Sequence, residues 1–195
     1  SIRMAISGGA ALPVDVLTRF EERFNVRILE GYGLSETSPV ASFNVLERPC
    51  KPWSIGVPLW GCDMRTMRDD GSFADVGEVG EIVIRGHNLM KGYYKKPAAT
   101  EEAVVNGWFH TGDLAVVDED GYFFVVDRKK DIIIRSGMNI YPREIEEVLY
   151  AHPAVLEASV DGIPHRARGE EVKAFVVLRE GASGTVAERR DYCYA

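Results

Sequence analysis

The chain has 195 residues, 46% of them hydrophobic and 27% charged, which suits a globular protein with one domain or two small ones. Its net charge of −7 argues against nucleic acid as a partner, because phosphate backbones bind basic surfaces. Cys50, Cys62 and Cys193 lack C-x-x-C spacing, so they indicate free thiols in a reducing compartment, not a disulfide framework or a zinc site. No apolar run is long enough to cross a bilayer and no leader is visible, which predicts a cytoplasmic protein and leaves peripheral membrane contact open.

Residues 1–44 predict a β-α-β unit. A strand is expected over Ile2–Ser7, a break at Ser7-Gly8-Gly9-Ala10, and a helix with Pro13 as its first residue. A short buried strand is expected over Val26–Leu29. The predicted helix has one apolar face at helical spacing, formed by Val16, Leu17, Phe20 and Phe24.

The next stretch, residues 30–37, reads EGYGLSET and combines small, aromatic and acidic residues. Glycines on both sides of Tyr32 let the backbone approach a flat ligand on which the ring can stack. Ser35, Glu36 and Thr37 add two hydroxyls and a carboxylate, a set suited to phosphate oxygens and Mg²⁺. Taken alone, G-Y-G is equally typical of a plain turn.

Residues 49–128 contain short strands punctuated by glycine and proline, which predicts a small barrel or sandwich. Strands are expected over Cys62–Met67 and Gly77–Gly86, separated by a turn at Asp69-Asp70-Gly71. His110 is interpreted as a packing and hydrogen-bonding residue, because no serine or cysteine nucleophile with a matching context is evident.

A hairpin is predicted from Leu114–Val117 and Tyr122–Val126, joined by a turn of the sequence DEDG. This pairing would place Asp113 near the level of Arg128. A carboxylate beside a guanidinium suits a ligand that carries both hydroxyls and phosphate. The simpler interpretations are a turn carboxylate for Asp113 and a surface cation for Arg128.

The remaining residues predict an α+β segment. An apolar strand at Ile132–Ile134 and a loop at residues 135–139 precede a helix that starts at Pro142 and has Ile145, Val148 and Leu149 on its apolar face. Further strands are expected over Val155–Val160 and Glu171–Leu178, and no closing element over the last residues, 189–195. The basic run at Lys129-Lys130 could simply be a solvated face.

The sequence HTGD at 110–113, followed by GYFFVVDRKKDIIIRSGMNIYPREIE at 121–146, closely resembles the hinge region of the adenylate-forming (AMP-binding) enzymes, specifically the fatty-acyl-CoA ligases. Several unrelated elements occur in the family's order. The resemblance implies a mixed α/β and α+β fold. Its parts would be the end of an α/β nucleotide- and acyl-binding subdomain (1–48), a small distorted β-barrel (49–128), a hinge (129–131) and part of a small α+β C-terminal domain (132–195).

The resemblance also implies roles for residues near ATP. Tyr32 would stack on adenine, whose edge Glu30 and Gly31 would contact. Ser35, where threonine is more usual, would bond the α-phosphate, and Glu36 would hold Mg²⁺; these two are the candidate catalytic residues of this chain.

Other roles follow from the same resemblance. Asp113 would bind the ribose hydroxyls and Arg128 the ribose or phosphate, while the small residues Gly8, Gly9 and Ala10 would leave room for the substrate carboxylate. Lys130 would be the hinge between the domains. Gly137 would line the tunnel for coenzyme A, with Ser136 bonding its polar groups, and the segment Asn88–Tyr94 would be mainly structural. Asn139 is given no phosphate role, because some relatives carry arginine there.

The implied activity is that of an acid–thiol ligase: a long- or medium-chain fatty acid is adenylated by ATP and then transferred to coenzyme A. The chain contains neither the family's glycine-rich phosphate loop nor its terminal catalytic lysine segment, so it is expected to be an internal or C-terminal fragment that is inactive alone. The alternatives are another adenylate-forming enzyme, such as an aryl-CoA ligase or a carrier-protein-charging domain, a luciferase-like oxidase, or a non-catalytic AMP-binding module.

Overall fold

The computed structural model describes residues 2–10 and 12–193, which form two compact units, residues 1–125 and 126–195. Both units combine helices and sheets, and the predicted mixed α/β and α+β class is confirmed. None of the helices within the described residues is long and apolar enough to cross a membrane. The finer limits at 48, 128 and 131 stay predictions.

The first unit opens with the predicted β-α-β arrangement. Strand β1 (Ala5–Ser7) pairs in parallel with β2 (Ile28–Tyr32), and helix α1 (Val14–Phe24) connects them. Two short strands, β3 (Ser42–Phe43) and β4 (Val57–Pro58), extend the sheet antiparallel in the order β1-β2-β3-β4. The connection after β2 contains a 3-10 helix at Ser35–Thr37.

Three details of this unit differ from the prediction. The first strand begins at Ala5, not at Ile2. Pro13 has an extended ψ of 135° and therefore precedes α1 instead of opening it. Of the predicted apolar face only Leu17 is buried, while Val16 and Phe24 are 44% and 51% exposed. Helical spacing determines which residues share a face, but not how much of that face another element covers.

The reading of G-Y-G as a plain turn is wrong, because β2 continues through Gly31 to Tyr32. Gly31 lies opposite Phe43 of β3. A Cβ atom at Gly31 would lie 2.1 Å from the Phe43 ring, so the ring in its observed position leaves no room for a side chain at position 31.

The second part of this unit is a curled half-barrel, as the strand pattern predicted. Its sheet has the order β5-β6-β8-β7, and a fifth strand, β9, pairs with β8. The core beneath it includes Met64, Ile82, Ile84, Ala115 and Phe123. The elements are β5 (Cys62–Met67), β6 (Gly80–Gly86), α2 (Pro97–Ala103), β7 (Val104–Val105), β8 (Trp108–Val117) and β9 (Phe123–Arg128), and β9 continues past the division at residue 125.

The predicted β8–β9 hairpin is present. The amide of Asp118 donates to the Tyr122 carbonyl at 3.0 Å, and Gly121 adopts the positive φ of 81° that its place in the turn requires. The Lys51 ammonium lies 2.5 Å from Asp118 and 2.6 Å from Asp120, which ties the turn to the loop before β4.

The second unit is a four-stranded antiparallel sheet in the order β11-β10-β13-β12. Ile133, Leu149 and Val160 form its buried core. Its elements are β10 (Ile133–Arg135), β11 (Met138–Ile140), α3 (Pro142–Tyr150), β12 (Val155–His165), β13 (Gly169–Leu178) and α4 (Val186–Tyr192). As predicted, Pro142 is the first residue of α3.

Two predictions for this unit are wrong. Residues 135–139 are not a loop: β10 and β11 form a hairpin whose two turn residues, Ser136 and Gly137, have φ values of 53° and 80°. Positive φ at both central residues is the conformation whose twist suits a two-residue hairpin. The chain also has the element α4 near its end, capped by Thr185 and Glu188, which hydrogen-bond to each other's backbone amides.

Candidate functional site

The structure brings together two of the predicted nucleotide-binding residues, Tyr32 and Asp113, which are 81 positions apart in the sequence. The Tyr32 hydroxyl donates to Asp113 Oδ2 at 2.5 Å. Asp113 lies on β8 and is only 7% exposed. Its amide donates to Thr111 Oγ1 at 3.1 Å, and the Thr111 hydroxyl donates to the Ile82 carbonyl at 2.8 Å. These bonds fix the backbone at Asp113 through Thr111 and the neighbouring strand β6, while the carboxylate itself accepts from Tyr32.

The hydroxyl and carboxylate of the SET sequence lie on the 3-10 helix that follows Tyr32. Ser35 is exposed, Glu36 is half-buried and Thr37 is fully buried. The Thr37 hydroxyl lies 2.8 Å from the Pro39 carbonyl, and it accepts from the Leu34 amide at 2.9 Å. Thr37 thus fixes this single turn, which presents Ser35 and Glu36 away from the core.

Glu36 has a partner that the sequence analysis missed. The Tyr93 hydroxyl donates to Glu36 Oε1 at 2.9 Å, and the Met90 amide donates to the Glu36 carbonyl at 2.7 Å. Burial, helped by the nearby Glu36 carboxylate, raises the pKa of Tyr93, so its hydroxyl remains a neutral donor at pH 7. The family resemblance implies only a structural role for the segment Asn88–Tyr94, and nothing local in the sequence connects Tyr93 with Glu36.

The predicted acyl loop lies beside the strand that carries Tyr32. Gly8, Gly9 and Ala10 are exposed after the end of β1. A Cβ atom on Gly8 would lie 2.9 Å from the Gly31 carbonyl oxygen, so these two backbones are in close contact. Glu30 is buried, and its carbonyl accepts from the backbone and side-chain amides of Asn44 at 2.9 and 3.1 Å.

A cavity of about 520 Å³ lies beside the strand that carries Asp113. His110 is on its wall, with Nδ1 3.3 Å from Glu81 Oε2, and Glu81 also accepts from the Gly112 amide at 3.0 Å. His110 is therefore a hydrogen-bonding residue in a packed environment, in line with its interpretation. The cavity is lined by Glu81, Tyr93, Lys96, Ala99, Glu102, Ala103, His110, Thr111 and Gly112.

Four other predicted site residues belong to the second unit. Arg128 is exposed at the end of β9, and its amide donates to Asp127 Oδ1 at 2.7 Å. Lys130 is exposed in a turn closed by the Asp131 amide and the Arg128 carbonyl at 3.0 Å. Ser136 and Gly137 form the exposed β10–β11 turn. That these residues act with Tyr32 and Asp113 on one nucleotide stays a prediction.

Asp127 has a structural role that was not foreseen. Its Oδ2 accepts from the amide of Arg143 at 3.1 Å, in the first turn of α3. The first amides of a helix have no partner within the helix, and a carboxylate there also interacts favourably with the helix dipole. Asp127 therefore fixes the start of α3. Arg128, the next residue along the chain, is exposed.

No group of three or more His, Cys, Asp and Glu side chains is placed to hold a metal ion within residues 2–10 and 12–193. Mg²⁺ in nucleotide sites usually takes one or two protein carboxylates, and its other ligands are phosphate oxygens and water. The single carboxylate of Glu36, half-buried and oriented by Tyr93, fits that kind of partial site.

Comparison with known proteins matches both parts of the chain to one family. Residues 1–94 match the description "AMP-binding enzyme", and residues 144–194 match "AMP-binding enzyme C-terminal domain". The chain belongs to the AMP-binding enzyme family. The predicted resemblance to the adenylate-forming (AMP-binding) enzymes is thereby confirmed.

Individual members of the AMP-binding family cover almost all of the chain. It is 48% identical to a long-chain-fatty-acid–CoA ligase of Bacillus subtilis (strain 168) over 96% of its length, and 44% identical to a sulfoacetate–CoA ligase of Cupriavidus necator over 98%. The crystal structure of ATP-bound MatB from Rhodopseudomonas palustris superposes on 96% of the chain with a TM-score of 0.92 and 35% identity, and the match takes in 37% of that protein. The chain spans 34% and 38% of the two relatives' own lengths.

Proposed function

We propose that the protein containing this chain is an ATP-dependent long- or medium-chain fatty-acid–CoA ligase. The fatty-acid carboxylate attacks the α-phosphate of ATP, which gives acyl-AMP and pyrophosphate. The thiolate of coenzyme A then attacks the acyl carbon and displaces AMP. The observation that carries the proposal is the Tyr32–Asp113 hydrogen bond, because it joins the residues proposed for adenine and for ribose.

The geometry of this pair suits a nucleoside. Asp113 is proposed to bind the ribose. The hydrogen bond from Tyr32 to Asp113 would then hold the Tyr32 ring with its face where the base lies. The bond from Tyr32 uses only part of the accepting capacity of Asp113, since an ionised carboxylate offers about four lone-pair sites. Ribose hydroxyls are proposed to donate to another part of it.

The other residues of the first unit extend the proposed site from the nucleoside to the reacting groups. The exposed hydroxyl of Ser35 is proposed to donate to the α-phosphate, and Glu36 to hold the Mg²⁺ that accompanies ATP and screens its phosphate charge. Gly31 is in contact with Gly8, so the adenine edge and the acyl loop would be neighbours. Gly8, Gly9 and Ala10 would leave room for the carboxylate to approach.

The second unit is proposed to serve thioester formation. The Ser136–Gly137 turn would line the tunnel for coenzyme A, since Gly137 carries no side chain and a Cβ built on it meets no atom within 4 Å. Arg128 would contact the ribose or phosphate. Rotation at Lys130 would bring this unit into place for the second reaction.

The test is ATP–pyrophosphate exchange by the protein at its natural length, with medium- and long-chain fatty acids, benzoate and sulfoacetate as acids. Exchange with the fatty acids, followed by acyl-CoA formation, is expected. Asp113→Asn is expected to lower kcat/KM about 10- to 100-fold, the effect of losing about 1.5–3 kcal/mol of hydrogen bonding to a charged group. Exchange that Asp113→Asn leaves unchanged would contradict the proposed site.

A second candidate is a ligase for another acid, favoured by the 44% identity to a sulfoacetate–CoA ligase. Exchange with benzoate or sulfoacetate but not with fatty acids would support it. A carrier-protein-charging enzyme would load a phosphopantetheinyl protein instead of free coenzyme A. AMP binding with no exchange for any acid would support a non-catalytic module.

A further inference from the structure

The segment from Asn88 to Tyr93 contacts the 3-10 helix region at three points. The Met90 amide donates to the Glu36 carbonyl at 2.7 Å, and the Tyr93 hydroxyl donates to the Glu36 carboxylate at 2.9 Å. Asn88 Nδ2 donates to the Val40 carbonyl at 3.0 Å, just beyond the same helix. The main chain and the side chain of Glu36 are therefore both fixed by one segment, which lies more than fifty residues further along the chain.

Tyr93 is itself held in place from behind. Its amide donates at 2.9 Å to the hydroxyl of Thr100 on helix α2. The preceding residue, Gly92, has a φ of 144°, and a Cβ built on it would lie only 3.0 Å from the Thr100 hydroxyl. The approach of the chain to Thr100 thus requires glycine at position 92, and it sets the direction in which Tyr93 leaves the backbone.

The Tyr93 side chain also borders the strand of the candidate ribose-binding carboxylate. It lines one cavity together with Thr111 and Gly112, the two residues that precede Asp113 on β8. Tyr93 therefore stands between Glu36 on one side and the strand of Asp113 on the other. Its hydrogen bond to Glu36 places the carboxylate of the 3-10 helix relative to this part of the half-barrel.

We infer that Tyr93 is a positioning residue for Glu36, holding Oε1 so that Oε2 is presented to the divalent cation that accompanies ATP. The inference rests on the proposed role of Glu36. A glutamate side chain has three rotatable bonds, and a bond to one carboxylate oxygen removes much of that freedom before the cation arrives. Partners of metal ligands typically change metal affinity about 10- to 100-fold when they are removed.

The experiment measures cation binding without turnover. Mn²⁺ is titrated into the protein at its natural length, in the presence of α,β-methylene-ATP, and bound Mn²⁺ is followed by electron paramagnetic resonance. Tyr93→Phe, which removes one oxygen and keeps the ring, is expected to weaken Mn²⁺ binding about tenfold. The matched control is Tyr94→Phe, because Tyr94 is the next residue and is 84% exposed. The Mn²⁺ affinity of this variant is expected to equal that of the unchanged protein.

A double-mutant cycle separates positioning from general packing. Tyr93→Phe is expected to have no further effect on Mn²⁺ binding in a protein that already carries Glu36→Ala, because the partner through which it acts is gone. Glu36→Asp is a second variant that leaves Tyr93 intact. It keeps the charge, but the shorter side chain withdraws the carboxylate from the Tyr93 hydroxyl. It is also expected to weaken Mn²⁺ binding.

Three results would overturn the inference, and they distinguish its failure from failure of the proposed role of Glu36. If Glu36→Ala weakens Mn²⁺ binding but Tyr93→Phe does not, or if the two effects simply add, Tyr93 does not act through Glu36 and the proposed function stands. If Glu36→Ala leaves Mn²⁺ binding unchanged, the proposed role of Glu36 fails and the role of Tyr93 fails with it. Mn²⁺ binding to the unchanged protein serves as the reference for every variant.

Discussion

At the scale of single residues, Asp113 is a carboxylate that folding removes almost entirely from water. An ionised group in such a place is costly unless donors compensate for the lost hydration. The Tyr32 hydroxyl is one of these donors, at 2.5 Å. The same bond that is proposed to arrange the nucleoside site therefore also contributes to the stability of the first unit, and the two effects can be measured separately.

Tyr32→Phe is expected to lower the free energy of unfolding of the first unit by about 1–3 kcal/mol, because Asp113 loses a donor while it stays buried. All three tryptophans of the chain, Trp53, Trp60 and Trp108, lie in this unit, so tryptophan fluorescence during urea unfolding reports on it. Tyr94→Phe is the matched control and is expected to change nothing. Equal urea midpoints for the two variants would contradict the prediction.

At the scale of elements, local patterns predicted what local chemistry decides. The β8–β9 hairpin was predictable because DEDG is a strong turn sequence between alternating strands. The β10–β11 hairpin was not, since Ser136 is a residue type that rarely adopts the positive φ it has there. Helix α4 was not predicted, and its signal in the sequence is the cap formed by Thr185 and Glu188.

The candidate site, too, was predictable only where the sequence signal is local. Composition suggested that Ser35, Glu36 and Thr37 suit phosphate and Mg²⁺, but it gave no reason to connect Tyr32 with Asp113 beyond family resemblance. The bond between them spans 81 positions, and periodicity carries information only over a few turns. Tyr93 was missed for the same reason, since its partner Glu36 is 57 positions away.

Gly137→Ala is expected to lower the free energy of unfolding of the second unit by about 1–2 kcal/mol, the cost of left-handed backbone for a residue with a Cβ atom. Space is not the cause, because a Cβ at this position meets no atom within 4 Å. Gly137→Asn is the matched variant, and its cost is expected to be smaller because asparagine tolerates this conformation. Urea unfolding followed by circular dichroism checks both, and equal losses would argue against a backbone origin.

The ion pairs between β10 and the start of β13 are expected to make stability depend on acid pH. The Arg135 guanidinium lies 2.6 Å from Glu171 and, with Arg168 at 2.7 Å, holds the pKa of the Glu171 carboxyl below its ordinary value. A folded pKa below the unfolded one adds stability that is fully present above the unfolded value, about 4.3, and is lost as the pH falls through the folded value.

Glu171→Gln is therefore expected to destabilise the second unit at pH 7 and to become equal to the unchanged chain in strong acid. Thermal unfolding measured from pH 7 down into strong acid tests this. Glu180→Gln, an exposed glutamate after the same strand, is the control and is expected to leave the pH profile unchanged. A constant difference between Glu171→Gln and the unchanged chain at every pH would show that the ion pairs are not its source.

At the scale of the whole molecule, the chain divides into two units, and Lys130 lies just after the division in an exposed turn. A short exposed turn is the kind of segment that can absorb a large change of φ and ψ. The proposed exchange between adenylation and thioester formation depends on such a change.

Lys130→Pro is expected to leave adenylation nearly intact and to slow thioester formation about tenfold or more, because proline fixes φ where rotation is proposed. Lys130→Ala removes the charge but keeps φ adjustable, and it is expected to affect both reactions much less. The measurements are pyrophosphate exchange and acyl-CoA formation by the protein at its natural length. Equal losses in both reactions for Lys130→Pro would argue against a hinge.

The 195-residue chain taken alone is expected to release no pyrophosphate from ATP and a fatty acid. Its sequence contains neither the glycine-rich phosphate loop nor the terminal lysine segment that the family resemblance requires for charge stabilisation on the reacting groups. A phosphate-coupled assay of pyrophosphate release by the purified chain, compared with a blank without protein, checks this. Release well above the blank would contradict the expectation.

The contact between Tyr32 and Asp113 also limits how this chain can be recombined with its relatives. In a chimera whose junction lies between residues 32 and 113, the phenol and the carboxylate come from different parents. Both parents must then supply compatible partners. Exchanging everything after residue 125 inherits the pair from one parent. Shuffled libraries with that later crossover are expected to yield more folded clones than libraries cut between residues 33 and 112.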